Sequence, residues 1–154
     1  MNFILKGMTL KELEFFITKH GYPKYRAQQI YTWLYKHEES NIQLMANLSN
    51  DLKLFLNKKT ILNTLDLFKR VESDNTIKFL FKTKTNKYIE SVSMVEDNRH
   101  TVCLSSQVGC NVDCDFCATG KMGFIQNLSS GEIIDQLLFI KNNINKPITN
   151  IVFM

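Results

Sequence analysis

The sequence predicts an α/β chain: a small helical domain, then a strand-rich stretch, then the opening of a βα barrel. Three observations predict this. Apolar residues recur at helical spacing up to about residue 60. Beyond that they fall into short runs separated by turn residues, the pattern of strands. The last third reads strand, cysteine-bearing loop, helix, strand, which is how a partial TIM-like barrel begins. The expected divisions are a helical accessory domain at 1–60, a β-hairpin linker at 61–99 and the N-terminal part of the barrel at 100–154.

Each element has a local cause. Thr9 and Glu12 make a capping-box pattern ahead of Leu10, Leu13, Phe16 and Ile17, and Gly21 supplies a C-terminal stop. Pro23 suits the first turn of a second helix, whose apolar face is Ala27, Ile30, Trp33 and Leu34. A third helix begins at Ser49 and carries Leu52, Phe55 and Leu56. Residues 65–71 and 77–81 flank a Ser73-Asp74-Asn75 turn and read as a hairpin. Further strands follow at 88–95 and 101–105, with turns at 83–87 and 96–99. A helix opens around Ser129-Ser130-Gly131-Glu132 and runs through Ile133, Leu137 and Ile140, and Pro147 precedes a buried-looking strand at 148–153. A parallel strand of that kind needs neighbours on its edge and faces, so the chain is expected to be the N-terminal part of a longer, truncated barrel.

Length and composition narrow the classes. The 154 residues suffice for one ordinary domain or two small ones, and an apolar fraction of 44% is that of a globular protein. No apolar run approaches the roughly 20 residues of a membrane span, and the first residues lack the pattern of an export signal. A cytoplasmic location without membrane association is therefore expected, and there four cysteines serve as metal ligands or reactive thiols rather than stable disulfides. Residues 1–100 carry 16 Lys and Arg against 11 Asp and Glu, whereas residues 101–154 carry 3 against 4. The positive excess ahead of the cysteines suits a polyanion such as RNA, and equally an ordinary solvated surface.

Cys110, Cys114 and Cys117 stand in a C-x3-C-x2-C spacing. Three thiolates so placed suit a [4Fe-4S] cluster with one iron left open, and the amino and carboxylate groups of S-adenosylmethionine (SAM) fit that open iron. The rival is structural zinc. Zinc sites usually come as two short pairs, whereas this is one tight triad plus Cys103. A non-catalytic, zinc-stabilised RNA-binding module stays as the alternative.

The triad with Phe116 before its last cysteine resembles the signature of the radical-SAM superfamily, where that aromatic lies near the adenine of SAM; packing beneath the loop is the other reading of Phe116. The runs Cys103-Leu104-Ser105-Ser106-Gln107-Val108-Gly109-Cys110 and Ala118-Thr119-Gly120-Lys121-Met122-Gly123-Phe124 resemble the RlmN/Cfr family of radical-SAM RNA methyltransferases. So do residues 25–30, 74–78, 89–92 and 148–154, most closely in the C2-methylating branch. The resemblance implies methylation of C2 of adenosine in 23S rRNA and tRNA through an S-methylcysteine. It implies a [4Fe-4S] cluster and SAM as cofactors, an electron donor such as flavodoxin as a partner, and a monomer. Position by position, Cys110, Cys114 and Cys117 match the cluster ligands and Glu90 the proton acceptor. Cys103 matches the thiol that resolves the adduct by forming a disulfide with the methyl-carrying cysteine. That cysteine and the Gly-Glu-Pro motif have no counterpart in this chain, which is expected to be inactive alone. Gln126 stands where relatives carry Arg or Lys.

Overall fold

The computed structural model describes residues 3–112, 114, 115 and 117–154. The chain divides into two compact units, Met1–Thr64 and Leu65–Met154.

The first unit is helical. Helix α1 (Leu10–Lys19) begins at the expected box: the Glu12 amide donates to Thr9 Oγ1 at 3.3 Å, and the Thr9 amide donates to Glu12 Oε2 at 2.7 Å. The Thr9 backbone amide, and then its hydroxyl, hold the Glu12 carboxyl below the ordinary value. Gly21, at φ +83°, lets the chain turn into α2 (Tyr25–Tyr35). Helix α3 (Asn50–Lys59) starts one residue after Ser49. Of the residues that helical spacing selects, Leu13, Phe16, Ile17, Ala27, Ile30, Leu34, Leu52 and Leu56 are buried together, while Leu10 and Phe55 pack against them only partly buried. Trp33 is only half-buried, and its Nε1 donates to Asn47 Oδ1 at 2.6 Å, so the indole caps the core rather than filling it. The periodicity did not reveal a short parallel pair, β1 (Phe3–Ile4) against β2 (Thr60–Ile61), which ties the unit's first residues to the end of α3.

The second unit is built on a five-stranded sheet, four strands paired antiparallel in chain order and a fifth added parallel beside the last of them. Strands β3 (Leu65–Ser73), β4 (Thr76–Thr83), β5 (Tyr88–Glu96) and β6 (Arg99–Leu104) form an antiparallel meander. Strand β9 (Asn150–Phe153) pairs parallel to β6 after the crossover helix α4 (Ser130–Asn143), giving the expected βαβ start. The strands expected as a linker thus share one sheet and one core with the first barrel strand.

One face of the sheet is covered by α4. Phe79, Phe81, Ile89, Val102, Leu104 and Ile140 are buried there, with Phe139 edge-on to Phe81 at 5.1 Å. Along β5, buried Ile89, Ser91 and Ser93 alternate with Tyr88, Glu90, Val92 and Met94, which face away from α4. Strand β9 was expected to be buried, but Ile151, Val152 and Phe153 are exposed, because β6 is its only partner among the described residues. None of the described helices is long and apolar enough to cross a membrane.

Candidate iron–sulfur loop and catalytic face

The cysteine loop is held by a ladder. Strands β7 (Gln107–Gly109) and β8 (Phe124–Asn127) pair antiparallel and bracket the residues from Cys110 to Gly123. Their closest approach needs glycine. Gly109 lies at φ +73°, and a Cβ there would sit 1.9 Å from the Gly123 carbonyl oxygen. That oxygen accepts from the Cys110 amide at 3.2 Å, so the first cysteine is fixed where the strands meet.

Inside the loop, backbone amides turn toward sulfur. The Val112 amide donates to Cys110 Sγ at 3.4 Å. The Cys117 amide donates to the Cys114 carbonyl at 3.0 Å, starting a turn that continues into the short helical segment Gly120–Met122. The Gly120 amide, then that of Thr119, stabilise the Cys117 thiolate and hold its pKa below the ordinary value against a smaller opposing effect of burial. Val112, Met122, Phe124 and Ile125 leave an exposed apolar rim around the loop.

All four cysteines are free thiols of intermediate burial. Among the described residues, no three His, Cys, Asp or Glu side chains converge on one point, so the structure does not gather the three sulfurs. Their chemistry still fits an iron–sulfur cluster: three accessible thiols on one strand-anchored loop, two of them receiving the amide hydrogen bonds that stabilise ligating sulfur. Phe116, expected near the adenine of SAM, lies outside the described residues.

The loop leaves the C-terminal end of β6, beside that of parallel β9: the Ser106 amide and hydroxyl both donate to the Met154 carbonyl at 2.9 Å. A barrel places its chemistry at that end of its strands. Buried Gln136 fixes the junction. Its Oε1 accepts from Ser91 Oγ at 2.7 Å and from the Ser105 amide at 2.9 Å, and its Nε2 donates to the Ser105 carbonyl at 3.0 Å. The helical pattern did not single out Gln136. The available signal was a polar residue on the stripe of Ile133, Leu137 and Ile140.

Cys103 and Glu90 share the sheet face turned away from α4. Cys103 is paired with Val92, two residues from Glu90 along β5. Lys78 Nζ lies 3.1 Å from Glu90 Oε1, and both side chains are about half exposed. Gln126, on β8, pairs with Val108.

Known proteins match this arrangement. Residues 3–62 match the family described as "Ribosomal RNA large subunit methyltransferase N-terminal domain". The chain is 42% identical over 159 residues to a Prochlorococcus marinus (strain MIT 9515) protein named "Probable dual-specificity RNA methyltransferase RlmN", which covers 97% of this chain and 44% of that relative. Over nearly its whole length the chain is similar to proteins named RlmN. A Geotalea uraniireducens (strain Rf4) relative named "Dual-specificity RNA methyltransferase RlmN" is 40% identical over 152 residues, with 97% of the chain and 43% of the relative covered. The crystal structure of a radical SAM methyltransferase from Sphaerobacter thermophilus superposes with a TM-score of 0.89 at 37% identity, over 98% of this chain and 47% of that one. The chain therefore spans less than half the length of these relatives, and its mixed α/β architecture is that of the corresponding part of the solved radical SAM methyltransferase.

Proposed function

We propose that this chain is the cluster-bearing part of a radical-SAM methyltransferase that methylates C2 of adenosine in 23S rRNA and tRNA through an S-methylcysteine intermediate. The observation that carries the reading is three free thiols on one loop, pinned by β7 and β8 and placed at the C-terminal end of a βαβ unit. The names of the relatives support the RNA methyltransferase class.

Cys110, Cys114 and Cys117 would hold a [4Fe-4S] cluster. When bound, the cluster supplies the electron that cleaves the sulfonium of SAM. The loop's amides stabilise the ligating thiolates, and its apolar rim limits water at the site. Glu90 accepts the C2 proton of the adenosine adduct. Its carboxylate lies on the open sheet face, and the Lys78 ammonium beside it fixes its orientation. Cys103, one strand away on the same face, is the thiol that resolves the adduct by pairing with the methyl-carrying cysteine.

Anaerobic reconstitution with iron and sulfide tests the cluster assignment. A brown protein holding the two in equal amounts, and lost in Cys114→Ala, is expected. A colourless chain that takes up zinc instead would replace this reading with the zinc-stabilised RNA-binding module. For the reaction, 2-methyladenosine is measured by mass spectrometry in RNA treated with the full-length gene product. Its absence would refute the C2 assignment.

A further inference from the structure

The open sheet face carries more than Glu90 and Cys103. Between Leu67 and Lys69 the β3–β4 register shifts by one residue, leaving Phe68 as an inserted residue. In a regular strand, residues 68 and 69 would point to opposite faces. The bulge turns both to the open side. The Phe68 ring meets Tyr88 of β5 edge-on at 5.0 Å, and Lys69 lines a cavity of about 220 Å³ with Val71, Lys78, Leu80 and Glu90. Strands β3 and β5 flank β4, so the two rings meet across the intervening strand.

These rings are not core residues. Phe68 is 61% exposed and Tyr88 44%. The charges around them are unequal. Glu90 is paired with Lys78, and Asp66 with Lys84 at 2.7 Å. That leaves Lys69 and Lys82, the latter directly opposite Tyr88, as surplus cations without a carboxylate partner among the described residues. An exposed aromatic pair beside surplus ammonium groups on a sheet suits a partner with a flat π-system and a negative backbone.

We propose that Phe68 and Tyr88 form a stacking platform for one unpaired RNA nucleotide, its base on the rings and its phosphate on Lys69 and Lys82. The inference rests on the proposed function and deepens it. The platform and Glu90 lie on one face, and Leu80 is the register partner of Glu90 on the strand between the rings. A base stacked there holds unpaired RNA over the carboxylate that receives the proton. The platform recognises the single-stranded state rather than a sequence, because every base offers a π-face.

The test is fluorescence anisotropy with this chain and two labelled probes: a single-stranded oligoadenylate of about 12 nucleotides, within the range such sites cover, and the same backbone without bases. The parent should prefer the base-bearing probe at least about fivefold, the lower end for one stacked base. Phe68→Leu with Tyr88→Leu should abolish that preference. Should the double variant unfold, Phe68→Leu alone, at the more exposed ring, carries the same comparison. Lys69→Met should weaken both probes alike and lower the salt slope by about 0.7. A parent indifferent to bases, or a double variant that keeps the preference, overturns the platform. Iron and sulfide uptake is read on the same samples. Base preference without uptake supports the platform and removes the methyltransferase reading, whereas uptake without base preference overturns the platform alone.

Discussion

Replacing Gly109 by alanine should loosen the cysteine loop while sparing the rest of the fold. The new Cβ would lie 1.9 Å from the Gly123 carbonyl oxygen and 3.0 Å from its carbon, and both are backbone atoms. Reaching an ordinary contact of 3.4 Å requires the two strands to part by about 1.5 Å. That separation breaks the 3.2 Å bond from the Cys110 amide, at about 1 kcal/mol. A side chain at φ +73° adds about 1–2 kcal/mol of backbone strain. Together these give about 2–3 kcal/mol, or a 30- to 150-fold rise in local opening at about 1.4 kcal/mol per decade. Hydrogen exchange of peptides spanning residues 107–127, read by mass spectrometry, measures it directly. Gly123→Ala is the control. It lies at φ 69° and ψ 174° with nothing within 4 Å of its added Cβ, so it carries backbone strain alone. Protection in Gly109→Ala within threefold of the parent, with full iron and sulfide uptake, would refute the claim that the close approach positions Cys110.

Other expectations follow from single contacts. Ser129→Ala removes the side-chain cap of α4 and should lower the stability of the second unit by about 1 kcal/mol in urea titration. Gln136→Leu strands the Ser91 hydroxyl and the Ser105 amide, for a loss of about 2–3 kcal/mol; a change below about 0.5 would mean the junction is held otherwise. Glu90→Gln breaks only a half-exposed ion pair, so the melt should move by no more than about 1 kcal/mol. The same variant of the full-length gene product should form 2-methyladenosine at least about 100-fold more slowly, and undiminished turnover would remove the proton-acceptor role. Because the Glu12 pKa is depressed in the folded state, its stabilising effect is complete above the unfolded value of 4.5 and is lost as pH falls through the lower folded value. Circular-dichroism melts below about pH 5 should therefore decline more steeply for the parent than for Glu12→Gln.

What the sequence made legible was local. Thr9-x-x-Glu12 specifies a helix start by itself, and so does Ser129-x-x-Glu132, since each box is closed within four residues. The cysteine spacing is likewise a property of one short segment. The ladder that holds it is not: β7 and β8 are short strands separated by the loop, and their pairing depends on two glycines whose φ values no pattern displays. Gln136 and Ser91 meet across 45 residues, and nothing nearby in sequence announces the bond. The expected break near residue 99 reflected the turn at 96–99, whereas β5 and β6 continue one sheet through it.

The bulge at Phe68 shows why the open face escaped notice. Alternation along Leu67-Phe68-Lys69-Arg70 assigns the aromatic and the lysine to opposite sides, so an unbroken strand would separate the stacking group from the charge. One inserted residue reverses that assignment and leaves Arg70 on the far side, where its guanidinium lies 5.7 Å from the Phe79 ring. Ordinary alternation beyond the bulge gives the two neighbouring cations different tasks: Arg70 supports the aromatic core beneath the sheet, and Lys69 joins Phe68 on the face that carries Glu90 and Cys103. Deleting Phe68 would restore regular pairing with Lys69 still opposite Leu80, on the face that carries Glu90. It should therefore abolish the base preference while sparing the contribution of Lys69 to the salt slope, and loss of that contribution would mean that the bulge itself sets the side Lys69 faces.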